Sequence, residues 1–374
     1  MSLPQEPASP PARSTWSFRL MSVAGIPIRI HFTFVLFLVW IATIGSGFLW
    51  TGLVLAVFAC VLLHELGHAL VARRFGIETR DITLYPIGGV AMLDGRPRPR
   101  QELWISLAGP MVNVVLAIIL ALVLLIRDGA LPSFSLSLNG SSFLGALFVA
   151  NVSLAIFNMI PAFPMDGGRV LRGSLALAMP ETRATQIAGT IGQGLAILIG
   201  LWGILHQSPI LVLVAFFVFL GAGQEVSATI TRSFLAGHAL HDAMQKRYRT
   251  INSGATLEAA ARMLIEGSQH DFPVVAGDEG EVIGVLTRNA IAHGLATEGP
   301  TGYVAAHMRR EYKTAHPNAP LEAAIEMFSQ EDPSPIIVLD DGQMVGMVTQ
   351  DNLSEFIMLE HARQQGTRSY GYTG

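Results

Sequence analysis

The sequence predicts a polytopic α-helical membrane protein, six transmembrane helices with a small membrane-associated β region, followed by a cytosolic α+β module. Three observations carry this. Of the 374 residues, 51% are hydrophobic and only 14% charged, against roughly a quarter charged in soluble domains. Six apolar segments, about 31–50, 52–72, 102–126, 142–163, 186–206 and 209–230, approach or exceed the ~20 residues that cross a hydrocarbon core. After Arg232 the composition becomes that of a soluble domain and a sequence unit recurs.

Residues 1–27, rich in Pro, Ser and Arg, read as a loose cytosolic tail. The apolar run that follows is too long for a signal-peptide core and lacks a small-residue cleavage site, so it reads as a retained helix. The core then covers 28–232 and the soluble module 233–374, with a short C-terminal tail. Orientation follows from arginine. Arg13, Arg19, Arg29, Arg73, Arg74, Arg80, Arg96, Arg98, Arg100, Arg169, Arg172, Arg183 and Arg232 fall on one side, and Arg127 alone on the other. Positive charge stays inside, which puts both termini in the cytoplasm of a multi-pass protein of the cell (inner or plasma) membrane. A net charge of −4 gives no reason to expect a nucleic-acid partner. The single cysteine, Cys60, sits in an apolar run and reads as a small buried hydrophobe.

Residues 81–93 are strand-like, with Pro86 and the Gly88-Gly89 pair breaking any helical period. They predict an interfacial or re-entrant hairpin, since non-helical backbone at membrane depth must be satisfied by protein or a wet cavity. In the module, Gly284-Val285-Leu286-Thr287 recurs as Gly346-Met347-Val348-Thr349, and Pro273 as Pro335. Two units at about 240–298 and 302–362, each helix–strand–strand–helix, are expected to close a shared core.

The second apolar segment carries His64-Glu65-Leu66-Gly67-His68. On a helix, residues i and i+4 share a face, so both imidazoles reach one ion. Glu65 projects about 100° round from His64, near enough to touch the metal's water without ligating the metal. Two histidines and a glutamate are costly in an apolar segment and mark a functional site. Catalytic zinc takes three protein ligands. The candidate third is Asp166, in Asn158-Met159-Ile160-Pro161-Ala162-Phe163-Pro164-Met165-Asp166-Gly167. There the prolines end the fourth helix and leave the carboxylate on an irregular turn.

His-Glu-Leu-Gly-His and Asn-x-x-Pro-x-x-Pro-x-Asp-Gly resemble the two signature motifs of the site-2 protease family of intramembrane metalloproteases. The resemblance covers roughly residues 20–230, including Gly-Ile-Pro-Ile-Arg-Ile-His before the first helix and Ala108-Gly109-Pro110…Asn113 in the third. It implies one zinc per chain on His64, His68 and Asp166, Glu65 as general base, and Asn158 supporting the tetrahedral intermediate. The substrate it implies is a single-span or membrane-associated protein, cut in or near its transmembrane segment. The C-terminal repeats are similar to a tandem pair of CBS domains, which implies regulation or homodimer formation and an adenine nucleotide site near Thr287, Thr349 and Asn352. Ala290 and Asn352 stand where nucleotide-binding CBS units often carry aspartate. Two other readings fit parts of the chain. A CBS-gated transporter or channel leaves the paired motifs unexplained, and an inactive relative leaves unexplained why Glu65 and all three ligands are intact.

Overall fold

The computed structural model describes residues 16–43, 47–129, 143–277, 280–328 and 334–370. Most of the predicted N-terminal tail, and parts of the first and fourth apolar segments, lie outside the described residues. The chain divides into two compact units, Ser14–Thr229 and Ile230–Gly374.

The first unit opens with β1 (Ser17–Val23), β2 (Ile26–His31), α1 (Phe32–Thr43), α2 (Gly47–Arg74), β3 (Glu78–Tyr85) and β4 (Gly88–Asp94). It continues through α3 (Pro99–Asp128), α4 (Phe143–Asn158), α5 (Asp166–Leu175), α6 (Glu181–Leu205) and α7 (Pro209–Leu235). Four of these, α2, α3, α6 and α7, are long and apolar enough to cross a membrane; α1 and α4 are apolar but shorter, at 12 and 16 residues. Leu122, Leu198 and Phe216 on the long helices are all more than half exposed. Such surfaces can face lipid at no cost, because each helix satisfies its own backbone.

The strands form one sheet in the order β1-β2-β3-β4. The tail reading is corrected here over residues 17–27. Val23 pairs with Ile26 across a two-residue turn in which Ala24 and Gly25 both have positive φ, 54° and 84°, the conformation a tight hairpin requires. Arg73 on α2 donates to the Ala24 carbonyl at 2.7 Å. The predicted 81–93 hairpin is β3–β4, extended at both ends, with Tyr85 opposite Gly88. Strand β2 pairs with β3 in parallel, Ile28 opposite Ile82. A parallel pair needs a long crossover, and α1 with α2 supplies it. The sheet is therefore laid against the end of α2 that carries the histidines: Ile26 and Ile82 pack with Leu66 and Ala69.

Arg172, counted among the loop arginines, is instead buried in the unit, its side chain 12% exposed and paired with Glu102 and Glu225.

The second unit holds α8 (Leu240–Ala243), β5 (Ile251–Asn252), α9 (Leu257–Glu266), β6 (Phe272–Ala276), β7 (Glu281–Leu286), α10 (Arg288–Thr297) and α11 (Val304–His307). Then come β8 (Lys313–Ala315), α12 (Glu322–Phe328), β9 (Ile336–Asp340), β10 (Gln343–Val348) and α13 (Gln350–Tyr370). The repeat is explicit in the pairing. In each half a short strand joins in parallel to the first strand of an antiparallel hairpin, β5-β6-β7 and β8-β9-β10. The halves share a core: Val275, Val282 and Val285 of the first pack with Ile337 and Met347 of the second.

Candidate active site

Helix α2 places His64 and His68 one turn apart on the face turned to α3. The approach of α3 is close because both helices are small at the crossing, as membrane helix contacts tend to be. A Cβ on Gly67 would stand 3.0 Å from the Ala108 carbonyl oxygen. One on Gly109 would stand 2.6 Å from His64 Nε2 and closer still to His68 Nε2. Glycine at 109 thus leaves a hollow under both imidazoles.

The third member arrives from the other end of the unit. Helix α4 ends at Asn158, as Pro161 and Pro164 require, and the chain re-enters α5 at Asp166. Asp166 is therefore the first residue of a short helix, not part of an irregular turn as its proline-rich setting suggests. Gly167 and Gly168 permit this, since a Cβ on either would collide with the backbone of residues 159–163.

Asp166 Oδ2 lies 3.1 Å from His64 Nε2 and 3.2 Å from His68 Nε2, and the two Nε2 atoms are 3.1 Å apart. The outer nitrogens fix the tautomers. His68 Nδ1 lies 2.6 Å from the Ile105 carbonyl oxygen, to which it can only donate. His64 Nδ1 lies 2.5 Å from Asn113 Oδ1, and Asn113 Nδ2 in turn donates to Asn151 Oδ1 at 3.0 Å. His64 Nδ1 is then also a donor. With both rings neutral, the Nε2 atoms present lone pairs to each other and to a carboxylate oxygen. Three acceptors in a 3.1–3.2 Å triangle repel unless a cation sits among them. Donors ~2.0–2.1 Å from one tetrahedral zinc are about 3.3 Å apart, and outer N–H bonds of this kind orient zinc-binding histidines. The residues fit zinc.

Glu65 is adjacent but outside the triangle. Its carboxylate interacts electrostatically with His64, His68, Asp166 and Arg169. Its stem lies on β4, where a Cβ at Gly89 would stand 2.7 Å from Glu65 Cγ. Asn158 is half-buried as the last residue of α4, and among the described residues none of the three triangle members hydrogen-bonds to it.

Asn151 was not singled out from sequence. It is a fully buried amide, as is Asn113, which entered the sequence reading only as the end of a family-like stretch in the third segment. Asn151 also donates to the Leu147 carbonyl at 2.9 Å and to Cys60 Sγ at 3.3 Å, so the buried thiol accepts a hydrogen bond at the end of the histidine's support.

The candidate nucleotide residues sit in separate halves of the second unit. Thr287 caps α10, its Oγ1 accepting from the Ala290 N–H at 3.3 Å. Thr349 and Asn352 close on each other, Asn352 Oδ1 accepting from the Thr349 hydroxyl at 2.9 Å. Beside the Thr287 cap, burial pushes the Asp271 carboxyl up, against a bond from the Arg288 N–H at 3.3 Å and the nearby His270.

The family model described as Peptidase family M50 matches residues 52–132 and 130–201, and that for the CBS domain matches 240–297 and 304–359. Zinc metalloprotease MJ0392 of Methanocaldococcus jannaschii is 36% identical over 72% of this chain and 78% of its own length. The chain belongs to peptidase family M50. A solved structure, the site-2 protease from Methanocaldococcus jannaschii, is 41% identical over 56% of this M50 peptidase and 95% of that chain, with a TM-score of 0.43. The CBS domain pair of protein MJ0100, solved with 5′-methylthioadenosine and S-adenosyl-L-methionine, is 29% identical over 32% of this chain and 96% of that one, with a TM-score of 0.30. This M50 peptidase is accordingly a membrane-embedded zinc metalloendopeptidase of the site-2 type with a tandem CBS module.

Proposed function

We propose that His64, His68 and Asp166 hold the zinc of this intramembrane endopeptidase, that Glu65 is its general base, and that Asn158 donates to the developing oxyanion. The observation that carries the assignment is the triangle of two fixed imidazole lone pairs and one carboxylate oxygen. Bound there, zinc would supply a Lewis acid that polarises the scissile carbonyl and lowers the pKa of water toward about 7. Glu65 takes the proton from the attacking water and passes it to the leaving amine. An amide donor aimed at the oxyanion is worth most where water is excluded.

A substrate helix hides its peptide bonds in its own hydrogen bonds and must unwind before it is cut. In the order β1-β2-β3-β4 the outer edge of β4 pairs with no further strand among the described residues, and β4 is the strand on which Glu65 rests. The unwound segment adds to that edge by β-augmentation, which brings its backbone beside the base. Six crossings with cytoplasmic termini accommodate the arginine distribution, with α1 and α4 as the two short spans and the sheet associated with the membrane. The boundaries 28–232 and 233–374 follow from the same reading. Substrates are single-span or membrane-associated proteins. Comparing membrane proteomes of cells carrying wild type or Glu65→Gln tests this: fragments made only by the wild type identify them, and identical fragment sets would refute the reading.

The CBS pair regulates cleavage or forms a homodimer. An adenine nucleotide acts only through different affinities for two states, and a tenfold rate change needs about 1.4 kcal/mol. Ala290 gives the first half no ribose partner, so the second half, with Thr349 and Asn352, is the expected site. Addition of AMP or ATP to the purified chain should change its cleavage rate, and Thr349→Val should remove the change. A rate indifferent to both nucleotides would reduce the pair to a docking or dimerisation module.

A further inference from the structure

Arg172 lies six residues after Asp166 on α5, about 9 Å along a helix that rises 1.5 Å per residue. Its guanidinium is held from both sides. Nε donates to Glu102 Oε1 of α3 at 3.0 Å and Nη2 to the same oxygen, while Nη1 donates to Glu225 Oε1 of α7 at 2.5 Å. The Phe163 ring lies beside it, its centroid 5.2 Å from Cζ. The Glu102, Arg172 and Glu225 side chains are 9%, 12% and 35% exposed. Ionised side chains drawn together inside so apolar a unit are costly, so the cluster calls for a role. The chemistry of cleavage uses none of them.

The role follows from what α5 lacks. It has ten residues, too few to hold a helix by itself. Three of them are glycines packed against backbone or Leu103, which bring no side chain to fix its rotation or depth. Its N-terminal residue is Asp166. We propose that Arg172 is a positioning residue for zinc: clamped between Glu102 and Glu225, it seats α5 so that the Asp166 carboxylate meets the two imidazoles. This rests on the reading of Asp166 as a ligand.

The test is zinc affinity, by chelator competition on the purified full chain, for wild type, Arg172→Gln, Asp166→Ala and the double variant. Outer-shell partners of metal ligands contribute about 10–100-fold to affinity, and Arg172→Gln should lose at least about tenfold. Arg172→Lys, which keeps charge without the fork, should recover part of that. The double variant should bind no more weakly than Asp166→Ala alone, because residues acting through one contact are not additive. A purely structural role would lower the thermal midpoint and leave affinity within about twofold of wild type, which overturns the proposal. So does a loss from Arg172→Gln that persists undiminished without Asp166. Where Arg172→Gln does not fold, the triple Glu102→Gln/Arg172→Gln/Glu225→Gln removes the unpaired charges and carries the same expectation. Failure of both to fold makes the cluster a folding determinant and also overturns it. Wild-type affinity in Asp166→Ala would instead refute the ligand assignment itself.

Discussion

Glu65→Gln is expected to slow peptide-bond cleavage by about 10²–10⁴-fold, the usual contribution of a positioned general base, while the chain keeps about one zinc. The two halves of this expectation have separate causes. Glutamine matches the shape of Glu65, so its stem still fits against Gly89, but an amide cannot take a proton from water. The three atoms that converge are His64 Nε2, His68 Nε2 and Asp166 Oδ2, and the substitution touches none of them. His64→Ala, His68→Ala and Asp166→Ala should instead lower zinc content and activity together. Rates on a single-span substrate, with metal analysis of the same samples, separate the classes. A Glu65→Gln enzyme cutting near the wild-type rate would remove Glu65 from the chemistry.

Gly109→Ala should abolish activity by emptying the metal site, although residue 109 ligates nothing. The new methyl would stand 2.6 Å from His64 Nε2 and closer to His68 Nε2, well inside van der Waals separation. The helices have little room to part. Gly67 is already pressed against the Ala108 carbonyl from the other side, and Ile105 and Asn113, on the same helix as Gly109, hold the outer nitrogens of both imidazoles. The imidazoles must rotate off the shared point, each losing its Nδ1 hydrogen bond. Zinc per chain should fall to the level of His64→Ala while helix content stays that of wild type. One retained zinc with full activity would show that the hollow under the imidazoles is not required.

That His64, His68 and Asp166 lie close together was legible from an i, i+4 pair on one helix and from prolines that end another, although Asp166 opens α5 and does not sit on an irregular turn. The β3–β4 hairpin was legible from a local signal too, through Pro86 and Gly88-Gly89. Strands β1 and β2 were not. Their turn is Ala24-Gly25, without the Asn-Gly or Asp-Gly that announces a tight hairpin. Moreover, β2 is held by a parallel pairing with β3, more than fifty residues later in sequence (Ile28 with Ile82), which no local pattern encodes. Asn151 escaped, and Asn113 carried no role beyond the resemblance, because a charge count passes over amides, yet a buried amide in an apolar helix needs a partner nearly as much as a charge does. The pairing of Arg172 was not legible because its partners are 70 and 53 residues away. Only the packing of α3, α5 and α7 distinguishes Arg172 from a loop arginine.

The central claim is that the three converging atoms hold a zinc ion on which cleavage depends. The most direct test reconstitutes the purified chain in vesicles with a single-span substrate, strips the metal with a chelator, and returns zinc stepwise while cleavage is followed. The expected result is cleavage within or beside the apolar segment, lost on stripping and restored in proportion to zinc up to about one ion per chain, the ligand set of a single catalytic site. Cleavage that continues at the original rate in metal-free protein would contradict the account.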